Sequence, residues 1–233
     1  MKRSGRFILK ITVGFALIAF SLAQAGYAAV PSRYNIDLHY DSDKAVIPAQ
    51  LKAEGKVRGV VIAVAEFSDA RQVDDKKVVG WVKELDGSKV KVFPKTAQPT
   101  RIIADGIKDY LNKAGYKIAD KIVPWDTKEG SLPKGIGKVI IGGAIEEMDI
   151  TCWTGVFSND YTINMKFSLV VADAVKGKIV YKGHVAVSAT RTDTSFSEGR
   201  LGYEAGMALG DAIGKMFEGK MVAEKMKEAA LAK

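Results

Sequence analysis

The sequence predicts an α+β protein: a mainly antiparallel sheet with a long C-terminal strand meander, and two main helices packed on one face. Three observations carry this reading. Three β-patterned segments follow one another between Val139 and Thr190, with turn residues at Ser158-Asn159-Asp160 and Lys176-Gly177. Two segments, one after Pro99 and one after Glu198, repeat apolar residues at helical spacing. The chain has 233 residues, 47% of them hydrophobic, and a single cysteine, Cys152, so one core must form without a disulfide framework.

The elements follow in order. Residues 1–25 hold Lys2, Arg3, Arg6 and Lys10, then an apolar run from Ile11 to Ala23, then Ala23-Gln24-Ala25. A basic end, a short apolar core and a small-residue exit read as a secretory signal peptide, cut after Ala25 or after Ala28. The run is shorter than the roughly 20 residues of a spanning helix, so cleavage is favoured over a retained anchor. Residues 26–56 read as an N-terminal strand (Tyr34, Ile36, Leu38 and Tyr40 alternating with polar residues) and a linker. Residues 57–218 form the α+β domain. It begins with Val57–Phe67, a β-branched run suited to a central strand covered on both faces.

Asp86-Gly87 between two alternating segments signals a hairpin, both residues tolerating the positive φ of a type I′ turn. Pro99-Thr100 opens a helix with Thr100 as its expected N-cap, and Ile103, Ile107, Leu111 and Ala114 form its stripe. Gly115 closes it, and Tyr116–Val123 returns as a short strand. In the meander, Tyr161, Ile163, Met165, Phe167, Leu169 and Val171 alternate without a break. Ile179, Tyr181, Val185, Val187 and Ala189 share one face of its last strand, and the opposite, partly polar face meets water. A helix over about 198–217 follows, then an amphipathic tail, residues 219–233.

The net charge of +8 at first suggests a polyanion partner. Four of its basic residues lie in the leader, which has no acidic residue, and the remaining +4 is interleaved with carboxylates. Without clustered Lys/Arg or stacking motifs, nucleic acid is excluded as a partner.

Candidate chemistry is sparse. His184, with Asp193 and Ser195 a few residues on, is read as a surface histidine, because no G-x-S-x-G turn accompanies it. His39 is likewise on the polar side of its strand, and two histidines make no metal site. Gly135-Ile136-Gly137-Lys138 lacks the spacing of a phosphate loop, since Leu132 and Val139 stand where a glycine and a hydroxyl are required. Among Glu146, Glu147 and Asp149, only the last two share a strand face, and all three read as edge charges. Cys152, between Ile150 and Trp153, reads as a buried structural cysteine. No catalytic residue, cofactor or metal is expected, and the chain reads as a non-enzyme.

The last long helix is less ordinary. Gly202, Gly206, Gly210 and Gly214 recur every four residues, which costs about 3–4 kcal/mol of helix propensity against alanine. Close packing must offset that cost. The packing surface is the protein's own sheet or, in a sharper reading, a helix of a second copy or a membrane partner.

The strand VVIAVAEF, followed by Ser68-Asp69-Ala70-Arg71 and Val79-Gly80, resembles the YajG-type bacterial envelope lipoproteins. The passage DYLNKAGYKIA (109–119), the meander and the small-residue C-terminal helix extend the resemblance over most of residues 57–218. It implies a secreted, compact α+β domain and offers no catalytic residues to carry over. The family carries a lipidated cysteine after its signal peptide and this chain has none there, which points to soluble periplasmic residence.

The sequence therefore reads as an exported periplasmic binding or accessory protein of the cell envelope. Its expected partner is another envelope protein or peptidoglycan-associated machinery, with a homo-oligomer through the glycine helix as a further expectation. Partner contact is expected at Asp69, Arg71, Trp81 and Trp153. The competing class is a small-ligand or lipid-binding protein with a pocket between sheet and helices, lined by Met165, Phe167, Tyr181 and Met207.

Overall fold

The structure, a computed structural model, describes residues 32–232; the leader and both expected cleavage positions lie outside them. The compact body runs from Pro31 to Lys233. Its strands are β1 (Tyr34–Ile36), β2 (Val61–Val64), β3 (Ser68–Asp69), β4 (Gly80–Lys83), β5 (Lys89–Pro94), β6 (Lys117–Ile118), β7 (Val139–Thr154), β8 (Asn159–Asp173) and β9 (Lys178–Asp193). Its helices are α1 (Pro99–Lys113), α2 (Glu198–Glu218) and α3 (Lys220–Leu231).

All nine strands join one open sheet organised on β7. One edge of β7 pairs along its length with β8, and β8 with β9, so the expected antiparallel meander forms. The other edge is shared: β2 and β3 take its first half, β4 its second. The sheet is mixed and not purely antiparallel: the long β7–β8–β9 meander and β4–β5 are antiparallel, while β1–β5, β2–β6, β2–β7, β3–β7 and β4–β7 run parallel. Alternation in a sequence reports which face a residue takes and carries no information on strand direction, so the parallel half was hidden.

The helices cover one face. Ile103, Ile107 and Leu111 of α1, Leu209, Ile213 and Phe217 of α2, and Val222 and Met226 of α3 share one core with the inward strand residues. Among the described residues there are three helices and not two: the expected tail is α3, whose Val222, Ala223, Met226, Ala229 and Ala230 are buried. The expected linker also belongs to the body, since β1 pairs with β5 and Leu38, Leu51 and Ala53 are in the core.

On the opposite face a small second cluster, Trp125 over Ala63, Ala65, Ile140, Val170 and Ala172, covers one end. Elsewhere this face is open to water.

Local departures have local causes. The expected strand 57–67 begins as a 3-10 turn over Gly55–Gly59 and is extended only at Val61–Val64. Between β4 and β5, only Gly87 has positive φ (85°), and its N–H donates to Glu84 O at 2.9 Å. A type I′ turn needs two such residues, so Asp86 acts differently: its carboxylate accepts from Ser88 N–H. Helix α1 is capped by Gln98 without a side-chain bond, Pro99 is its first residue, and Thr100 Oγ1 donates to Glu66. A register shift at Val171/Ala172 turns Ile179 to the Trp125 cluster while Tyr181 packs on the main core.

Candidate functional site

The loop between β3 and β4 folds around one cation. Arg71, 3% exposed, donates from Nε and Nη2 to the two carboxylate oxygens of Asp69 at 2.9 and 2.7 Å. Two more of its N–H groups, on Nη1 and Nη2, reach Val78 O and Lys76 O at 2.8 and 2.6 Å, and Lys76 Nζ donates to Arg71 O. Such a fork needs guanidinium geometry, and every polar group of Arg71 is spent inside the loop. Burial opposes ionisation of Asp69, but the Arg71 hydrogen bonds and charge outweigh it and hold the carboxyl below its ordinary range. Of the expected contact residues, Asp69 and Arg71 thus shape the surface from beneath.

That loop borders a cleft of about 210 Å³ beside Trp81, Glu147 and Asp149. The cleft lies where β7 passes from its β3 partner at Ala144–Ile145 to its β4 partner at Ile150, leaving 146–149 without a strand on that edge. A bulge falls in the same place. Ile145 opposes Phe167 and Glu147 opposes Lys166, so Glu146 is the extra residue. The bulge reverses the inward set from Ile141 and Ile145 to Met148, Ile150 and Cys152. It thereby puts Glu147 and Asp149 on the solvent face with Glu146, which pairs with Lys166 at 3.2 Å and His184 at 2.8 Å. Simple alternation had placed Glu146 apart from Glu147 and Asp149. Burial, then the negative charge of Glu147, raises the Asp149 carboxyl above its usual range.

Trp81 and Trp153 lie on the same open face. Trp81 faces Thr151 and Lys83 faces Trp153 in the β4–β7 register, so the two indoles stand two residues apart on adjacent strands. They are 37% and 56% exposed. Lys83 Nζ sits 4.1 Å above the Trp153 ring and Lys91 Nζ 5.9 Å above that of Trp81, which restrains both rings.

The glycines of α2 do not meet the sheet, and two of them meet another segment of the same body. Leu201, Ala205, Leu209 and Ala212 of α2 meet the sheet side, while the glycines face the segment leading out of β1. A Cβ on Gly202 would lie 2.8 Å from Asp37 O, and one on Gly206 would lie 3.0 Å from His39 O. A Cβ on Gly210 would only graze Tyr40, and one on Gly214 would meet nothing within 4 Å; both border an outer groove of about 390 Å³ with Met207. Met165 and Phe167, expected to line a pocket between sheet and helices, are 1% and 0% exposed inside the packed core.

His184 pairs with Ser168, whereas Asp193 pairs with Asn159, nine residues along the strand, about 30 Å away. His39 lies near Asp37 and α2, on the helical side of the sheet. No triad is assembled, and among the described residues no three His, Cys, Asp or Glu side chains converge as a metal would require. Cys152 is fully buried, and burial pushes its thiol up to about 12. Among the described residues, no helix is long and apolar enough to cross a membrane.

Neither a family model nor a curated protein matches the chain. Solved structures do. A Xanthomonas campestris protein of family-model DUF330 covers 84% of this chain and 98% of its own length, with TM-score 0.51 and 10% identity. A putative neuraminyllactose-binding hemagglutinin homolog from Helicobacter pylori covers 84% and 100%, with TM-score 0.42 and 10% identity. The PelC dodecamer subunit from Paraburkholderia phytofirmans covers 70% and 91%, with TM-score 0.37 and 16% identity. At these identities the likeness is one of fold, and by that measure the chain is similar to the DUF330 protein over nearly its whole length.

Proposed function

We propose that this chain is an exported, non-enzymatic binding protein of the bacterial cell envelope. In this reading it resides in the periplasm after loss of its leader and docks a partner protein on the open sheet face around Trp81 and Trp153. One observation carries the docking surface: two partly exposed tryptophans, restrained by lysines, stand side by side on the helix-free face. Aromatic anchors of this kind supply much of the binding energy at protein interfaces, because a rigid ring buries a large area for little entropy. Asp69 and Arg71 fix the loop that walls the cleft beside Trp81. The leader and the YajG-type resemblance support the envelope setting.

The test is a photo-crosslinking residue placed at position 81, at 153 and, as a control, at Lys182, elsewhere on the same sheet face. Discrete adducts from 81 and 153 but not 182 are expected in intact envelopes. Adducts of twice the chain mass identify a second copy, and adducts that sediment with peptidoglycan identify its associated machinery. Equal adducts from all three positions, or none from 81 and 153, overturn the reading.

A further inference from the structure

Among the described residues, five of the twelve exposed large apolar side chains gather at one end of the body: Trp81, Leu85, Trp153, Val156 and Phe157. Val156 and Phe157 form the tip of the β7–β8 hairpin, 77% and 89% exposed. Leu85, 66% exposed, lies in the β4–β5 turn. The two tips are tied together where they begin, by a hydrogen bond of 3.1 Å from Thr154 Oγ1 to Lys83 O. Nothing in the fold calls for these residues at a hairpin tip, where polar turn formers are the rule.

The charge around them is arranged in an unusual way. Lys83 and Lys89 face each other directly across β4–β5, and Lys91 follows on the same face. Like charges in that position repel, and among the described residues none of the three forms a salt bridge. The neighbouring acids are engaged elsewhere: Glu84 accepts from Tyr34, Asp86 from Ser88 and Asp160 from Thr192. Unpaired lysines beside protruding Phe, Val, Leu and Trp make the composition of a segment that lies in a membrane interface, the rings at headgroup depth and the amines on phosphate. Tyr34 pairs in parallel with Val92, so Arg33 and Ser32 lead back toward the Lys89 end of β5.

We infer that this apex, Leu85 and Val156-Phe157 ringed by Lys83, Lys89 and Lys91, rests in the surface of a bilayer carrying anionic phospholipid. Contact with the membrane by the apex and docking of a protein on the sheet face are separate events. The crosslinking test above can fail while this one succeeds, and the reverse.

The protein without its leader, residues 26–233, is sedimented with vesicles of phosphatidylcholine containing phosphatidylglycerol and with vesicles of phosphatidylcholine alone. Sedimentation with the anionic vesicles is expected to exceed that with neutral ones by at least tenfold and to fall with added salt. The Val156→Asp/Phe157→Asp variant and the Lys83→Glu/Lys89→Glu variant should each lose tenfold or more. Met221→Asp, at an exposed residue of α3, should bind as the parent does. Far-ultraviolet circular dichroism confirms that each variant is folded; if a tip variant is not, Phe157→Ser replaces it. Absence of binding by the parent overturns the inference, as does a tip variant that binds unchanged. An equal loss in Met221→Asp overturns it too.

Discussion

Arg71 holds Asp69, two residues before it, in a two-pronged ion pair whose members are 3% and 10% exposed. The pair stands where β7 changes partners, between β3, which contains Asp69, and β4, which follows the loop. It does for this gap what a ladder of backbone bonds does elsewhere, since Arg71 also satisfies the carbonyls of Lys76 and Val78. The wall of the Trp81 cleft depends on it.

Removing one partner leaves the other charged and buried. Arg71→Met is therefore expected to destabilise the fold by about 3–5 kcal/mol. The double variant Asp69→Leu/Arg71→Met removes both charges and should recover much of that loss. Urea denaturation followed by tryptophan fluorescence measures both. A double variant as unstable as the single one would mean that the loop needs the guanidinium hydrogen bonds more than it needs charge balance.

The same pair gives a pH dependence of defined sign. The Asp69 carboxyl in the folded protein lies below its unfolded value, because the Arg71 bonds outweigh burial. A depressed folded value means that the stabilisation is fully present above the unfolded value, near pH 4, and is lost as pH falls through the folded one. Unfolding free energies at pH 6, 4 and 2.5 should show the gap between the parent and Asp69→Asn narrowing toward acid. A gap that is constant over this range refutes the assignment.

The core was more legible than the surface. Tyr161, Ile163, Met165, Phe167 and Leu169 alternate in sequence and all point inward, because nothing interrupts β8 there. On β7 the same period fails at Glu146, since a bulge adds a residue without leaving a compositional mark. Trp81 and Trp153 could be singled out as aromatic residues beside turns, and both are partly exposed. Arg71 could not be recognised as buried: its partners are one side chain and two carbonyls brought round by the loop, and a charged residue in a polar stretch looks solvated. No sequence signal sets Val156 and Phe157 apart from packed apolar residues, and only the fold shows them unpacked.

Cys152 should behave as an inert core residue. Its thiol is fully buried and pushed up to about 12, first by burial and then by the charges of Glu84 and Asp160. The thiolate fraction at pH 8 is then about 10⁻⁴, against about a quarter for a free cysteine. A disulfide reagent should label the native protein at least a hundredfold more slowly than the protein in denaturant. Fast labelling under native conditions would show that the β4–β7 end opens readily.

The glycine helix offers a comparison within one element. Gly202 and Gly214 have the same helical propensity cost, and substitution by alanine recovers about 0.8–1 kcal/mol at an unhindered site. At Gly202 the new methyl would stand 2.8 Å from Asp37 O and 3.1 Å from Asp37 N, both backbone atoms of a segment anchored by buried Ile36 and Leu38. That segment cannot yield without lifting its neighbours from the core, so Gly202→Ala is expected to destabilise by about 1–3 kcal/mol. At Gly214 nothing lies within 4 Å of the added carbon, and Gly214→Ala should stabilise by the full propensity gain. Thermal unfolding of the two variants should move in opposite directions. Sedimentation velocity of the Gly214 variant then tests the remaining use of the stripe, because a stable dimer packed on Gly210 and Gly214 would weaken when the methyl is added. An unchanged mass with a raised melting temperature would leave Gly202 and Gly206, pressed against residues 37–39, as the physical reason for the repeat.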